Sequence, residues 1–243
     1  SERPVLRAVS TDIKTRSHNS PTRPERRCGF PTRNPTDSVR DHLRAGIAVY
    51  NEGRYHAAHD AWEEYWLDLD EGDDERFLHG LIQFTAVVHH ASEENWSGAQ
   101  GLAESAAEYL DGLPDPYHGV ALDEVRSFLA ATAADPHHAA TDPPTLTHDG
   151  EAIGYGALDF DATVIPAEVL AETGRYDRAV IADAVARARS ELGGNGNSQF
   201  VGMLFSFVRE RDQRPVVYQR LRDHVELEQQ KDDDVRGLFD GSG

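Results

Sequence analysis

From residue 39 to about residue 134, apolar side chains return at intervals of three and four, so this stretch can bury its hydrophobic surface only as a packed set of α-helices. Helices are expected near 39–52, 55–68, 74–93, 97–111 and 119–134, separated by "NEG", "DLDEGDD", "EN" and "GLPDPYHG". Ser97 with Gln100 matches a capping box that would start the fourth of them. The run "DPHHAATDPPTLTHDGEAIGYG" reads as a linker carrying a small hairpin about Asp149 and Gly150, with His137 and His138 in solvated loop. Helical pattern returns near 164–173, 177–192, 198–210 and 215–231, where Gly174 and "GGNGN" end two helices and Pro215 suits a first turn. "FVGMLFSFV" is apolar nearly all round and is expected to be the buried helix of that half. The expected fold is all-α: an antiparallel helical bundle domain over 37–134, a linker over 135–159 and a smaller helical C-terminal segment over 160–240.

Residues 1–36 hold eight basic and three acidic side chains and five prolines, a net of +5 against −24 for the remainder, and are expected to be a disordered tail. Helical pattern begins soon after, and Met203 is the single methionine, so Val39 is a candidate initiator read from a GUG codon, with residues 1–38 upstream of the true start. The whole chain carries a net charge of −19, with 22 arginines but only Lys14 and Lys231 as lysines. Such a surface fits adaptation to molar salt, where screening shrinks to roughly 3 Å and a dense acidic coat is tolerated. A nucleic-acid partner is not expected. No apolar window is long enough for a membrane span, and neither a secretory signal nor a second cysteine beside Cys28 is present, which points to the cytoplasm.

The chemistry-bearing residues gather in "YHAAHDAWEEYW", residues 55–66. At about 100° per residue, Tyr55, His59, Trp62, Glu63 and Trp66 fall within one arc, while Asp60, Glu64 and Asp68 turn away. An imidazole and a carboxylate therefore lie in an aromatic stripe that must be buried. The next helix, "DERFLHGLIQFTAVVHH", is apolar on most of its surface and places Gln83 and His90 on one side. Buried polar groups need partners, so His59, Glu63, Gln83 and His90 are candidates to act together. His56, His79 and His89 fall on other faces.

"YNEGRYHAAHDAWEEYW", "RFLHGLIQFTAVVHH" and "ENWSGAQGLAESAAEYL" together resemble the family known as domain of unknown function 309, in a haloarchaeal-type form. Through that resemblance His59, Glu63, Trp66, Gly80, Gln83, His90, Asn95 and Gly98 fall on the family's motif positions, and Asp60 stands where glutamate is commoner. The resemblance covers about residues 40–112. It implies an all-helical fold and carries the label of a predicted metal-dependent hydrolase.

Three roles are open to these residues. His59 and Glu63, one helical turn apart, could hold a divalent metal such as zinc or manganese, with His90 as third ligand and an open position for water. Counting from a hairpin turn between residues 68 and 74 instead sets His59 level with Gln83 and His90 about 10 Å deeper. That register favours a hydrogen-bonded cluster of His59, Glu63 and Gln83 that clamps two helices. In the third, metal-free reading Glu63 tunes His59 as an acid/base. The expected function is a non-catalytic module binding a protein or small molecule, with a hydrolase as the alternative: His59, Glu63 and Gln83 as its catalytic residues, and His59, Glu63 and His90 as metal ligands.

Overall fold

In the computed structural model, which describes residues 35–141, 143–193 and 198–240, nine α-helices carry the chain. The tail expected over residues 1–36 lies outside the described residues, except for Pro35 and Thr36, which open the first helix. The helices are α1 (Pro35–Asn51), α2 (Tyr55–Trp66), α3 (Asp73–Ser92), α4 (Trp96–Leu110), α5 (Leu122–Ala134), α6 (Phe160–Thr173), α7 (Arg178–Leu192), α8 (Gln199–Arg209) and α9 (Arg214–Asp240). Short 3₁₀ turns and a two-stranded hairpin complete the order, so the fold is all-α. No helix among the described residues is long and apolar enough to cross a membrane.

Chain ends of helices are closed by the chemistry their sequence offers. Asp159, Asp177 and Ser198 accept backbone amides at the starts of α6, α7 and α8. Two arginines close C-terminal ends, where carbonyls have no partner within the helix: Arg126 donates to Leu110 O, and the buried Arg214 donates to Phe207 O and Val208 O. The capping box expected at Ser97 does not form. Asn95 caps α4 instead by accepting the Gly98 amide at 3.1 Å, which frees the Gln100 side chain to reach Ala133 O at 2.8 Å. Asparagine and serine are comparable caps, and starting at Asn95 turns Ala99, Ala103 and Ala106 into the core.

Three helices run longer than their sequence pattern implies, and one of them, α1, starts at Pro35 rather than near 39. α6 starts at Phe160 rather than near 164, because Asp159 both caps it and receives Thr163 Oγ1; Pro166 is thereby inside the helix, where it is buried. α9 continues past residue 231, tied to α7 by Gln229 to Asp183 and Arg187 to Asp232, at 2.8 and 3.0 Å.

α3 is the centre of the N-terminal half, packed between α2 and α4, with Phe77, Leu81, Phe84 and Val87 buried. α1 approaches α2 so closely that a Cβ added to Gly46 would stand 2.0 Å from Nε1 of the fully buried Trp62. Trp62 Nε1 donates to Leu43 O at 3.3 Å, so the indole satisfies its polar atom while filling the gap. In the C-terminal half α6 lies against α1 and α2 and also against α7 and α8, and α8 packs on α9. Its core includes Phe200, Leu204, Phe207 and Val208.

Residues 143–158, assigned from sequence to a linker, run along the end of α1. Asn51 donates to Leu146 O and Ile153 O, each at 2.8 Å, and accepts the Leu146 amide at 3.0 Å. Tyr50 adds a bond to Pro144 O. The hairpin pairs Thr147 with Ala152 and His148 with Glu151, and both residues of its turn, Asp149 and Gly150, take positive φ.

Candidate functional site

Two ring contacts set the register of α2 against α3. Trp66 meets His79 with centroids 4.6 Å apart, and His56 stacks on His89 at 5.3 Å and 16°. Interpolating between them sets His59 opposite position 86, about three residues or 4.5 Å beyond Gln83. Counting residues back from the turn thus misplaces the pairing by most of a helical turn, and the polar side chains divide into separate groups.

The group nearest the α2–α3 turn is buried. Trp66 Nε1 donates to Glu75 Oε1 at 3.1 Å, the same oxygen lies 3.7 Å from His79 Nδ1, and His79 Nε2 meets Gln83 Nε2 at 3.1 Å. Glu75, His79 and Gln83 are spaced by four along α3, one helical turn each. The His79 ring meets both Trp66 and Tyr109, the latter at 3.9 Å, so this chain joins α2, α3 and α4. Gln83 therefore pairs with His79 rather than with His59 or Glu63. Its Oε1 is buried and has no hydrogen-bond partner among the described residues.

His90 sits at the far end of α3 and belongs to the turn into α4. Its Nδ1 meets Asn95 Nδ2 at 2.8 Å, while Asn95 N bonds to His90 O at 2.9 Å. Because Asn95 Oδ1 is engaged by Gly98, the amide end faces the ring, and an NH₂ donor requires an unprotonated Nδ1. Burial lowers the His90 pKa from its ordinary value, and a neighbouring His89 charge lowers it further against the opposing pull of Glu93. Both effects favour the neutral, accepting ring. A Cβ on Gly98 would stand 2.6 Å from Asn95 Nδ2, so this spacing of histidine, asparagine and glycine forms one compact joint.

His59 and Glu63 remain, on the flank of α2. His59 Nδ1 is 3.1 Å from Asp60 Oδ1 and 4.0 Å from Glu63 Oε2; the imidazole side chain is 14% exposed and each carboxylate 34%. Possible ligand atoms of His56, His59 and Asp60 all lie within 4.8 Å of one another, and neither Glu63 nor His90 joins that set. Asp60, placed outward from the sequence, is the nearest polar partner of His59. The signal was present in the sequence: at 100° per residue His56, His59, Asp60 and Glu63 share an arc of about 100° beside the aromatic stripe. A criterion based on burial alone passes over it.

A second carboxylate cluster lies at the start of α3. Asp74 Oδ1 receives Tyr117 Oη at 2.6 Å and His118 Nε2 at 2.7 Å. Partial burial raises the Asp74 pKa, but these two hydrogen bonds and the His118 charge outweigh it, and the net direction is down. This group ties α3 to the loop before α5.

The model of a family described as Domain of unknown function (DUF309) matches residues 43–102. That stretch runs from α1 into α4 and contains His56, His59, Asp60, Glu63, Gln83, His90 and Asn95. An uncharacterized protein of Aquifex aeolicus (strain VF5) is 26% identical over 87 residues, which are 36% of this chain and 26% of that protein. The aligned part thus spans about a quarter of the relative's length.

Proposed function

We propose that the chain is a non-catalytic helical module that binds a protein or a small molecule through the polar flank of α2. What supports this reading is how Gln83 and His90 are used. Each is engaged in joining helices, Gln83 through His79 and His90 through Asn95, and neither is turned toward His59. His56, His59, Asp60 and Glu63 are left as a part-exposed set beside the aromatic core, and His59, Asp60 and Glu63 pair among themselves on α2 rather than across a helix joint.

The second reading is a metal-dependent hydrolase with His59 and Glu63 as ligands, His90 as third and Gln83 orienting substrate. It is favoured by the 4.0 Å separation of the His59 and Glu63 polar atoms. The net charge of −19 supports adaptation to molar salt and, with no spanning helix among the described residues, a cytoplasmic setting. The same charge argues against nucleic acid as partner.

The test places a photo-crosslinking side chain at Glu63 and, as a control, at the exposed Glu124 of α5. A defined adduct from position 63 alone is the expected result. Hydrolysis of ester, amide or phosphoester substrates that Glu63→Gln abolishes without lowering the melting temperature would overturn the reading.

A further inference from the structure

The geometry points to a site for one borderline divalent ion, of which Zn²⁺ is the representative, held by His56, His59 and Asp60 on a single face of α2. The proposal rests on the reading of this flank as the binding surface and names what it binds.

The three side chains stand at intervals of three and one along the helix, so their donor atoms come from one turn. All of these atoms lie within 4.8 Å of one another. His59 Nδ1 and Asp60 Oδ1 are already 3.1 Å apart. Two ligands on a tetrahedral zinc ion, at bonds of about 2.0–2.1 Å, are separated by roughly 3.3 Å, so this pair needs little adjustment. Two imidazoles and one carboxylate form the mixed nitrogen and oxygen donor set that suits zinc, cobalt or nickel over magnesium or calcium.

The support beneath the site is rigid. Trp62 and Trp66 anchor α2 in the core, and the stack of His56 on His89 holds an otherwise exposed ring. Glu63 adds a second negative charge beside His59, which favours a cation at this place. Three protein donors at a part-exposed helix face leave the remaining coordination position open toward solvent. There a water molecule or a carboxylate from a bound partner completes the shell.

This set differs from the one expected from sequence. His90 falls outside it: its Nδ1 is engaged by Asn95, and it does not join the donor atoms of His56, His59 and Asp60 that lie within 4.8 Å of one another.

The experiment titrates ZnCl₂ into the full chain, prepared without a polyhistidine tag and freed of metal by chelator, near neutral pH. Calorimetry reads the stoichiometry, and Co²⁺ in place of zinc reads the coordination through its visible absorption. One ion per chain is expected. His56→Ala and Asp60→Asn should each weaken binding by about a hundredfold, since losing even a group that only braces a ligand costs about 10–100-fold. His90→Gln should bind as the wild type does, with circular dichroism verifying that all variants remain folded. Absence of one-to-one binding, or binding that survives in both His56→Ala and Asp60→Asn, would overturn the proposal. So would loss in His90→Gln with retention in His56→Ala, which would move the ion to the other donor set. None of these results touches the binding-module reading, which falls on Glu63-dependent turnover.

Discussion

Asn95 holds His90 and the start of α4 at the same time: Nδ2 meets His90 Nδ1 at 2.8 Å and Oδ1 accepts the Gly98 amide at 3.1 Å. One side chain thereby fastens the end of α3 to the beginning of α4 across a two-residue turn.

Asn95→Ala removes both bonds. The expected loss is about 1–2 kcal/mol, one part for the N-cap and one for the bond to the ring, read as a lower denaturation midpoint. Asn95→Asp keeps the cap acceptor but sets a carboxylate against His90 Nδ1, so it should retain most of the stability and raise the His90 pKa in an NMR titration. Equal losses in the two variants would mean the cap is not the source of the effect.

Acid should loosen the same joint. The His90 pKa is lowered from its ordinary 6.5, first by burial and then by His89, against the opposing effect of Glu93. On acidification the unfolded chain therefore takes up its proton first, so this contribution is complete above about pH 6.5 and is lost as pH falls through the lowered folded value. Urea midpoints measured across that window should fall with pH, and more gently in His90→Gln, whose amide oxygen accepts from Asn95 without titrating. Identical slopes would remove His90 from the account.

At the α1–α2 contact the limit is space. A Cβ at Gly46 would stand 2.0 Å from Trp62 Nε1 and 2.1 Å from Cε2, against a ring with no exposed surface. Gly46→Ala should cost about 1–3 kcal/mol by overpacking. Combined with Trp62→Phe, which shortens the ring, it should cost less than the sum of the single changes, and additive losses in that double-mutant cycle would contradict the contact.

The charge of −19 carries its own prediction. If the acidic surface is adapted to salt, raising KCl from low concentration to about 1 M should raise the melting temperature, because self-repulsion among carboxylates is screened within roughly 3 Å. A melting temperature that is flat or falling across the series would end that reading.

Helix positions were legible from local pattern alone. Six of the nine helix starts among the described residues lie within a residue of the position read from caps, glycines, prolines and changes of period, and at α1, α5 and α6 the boundary shifts by three or four residues. The hairpin at Asp149 and Gly150 was equally legible, because a turn that needs two positive φ angles names its own residues. The joint at Asn95 was misassigned to Ser97 because both are competent caps, and only packing of Ala99 and Ala103 distinguishes them.

The sequence by itself determined that this is a chain of amphipathic helices with an acidic surface, and that its polar residues concentrate on α2 and α3, because those properties follow from side chains a few positions apart. Tertiary structure alone decided which of them meet. The sliding position of α2 along α3 is set by how Trp66 fits over His79 and His56 over His89, contacts between helices that no spacing within one helix encodes. A displacement of about three residues was enough to give Gln83 to His79 and leave His59 with Asp60.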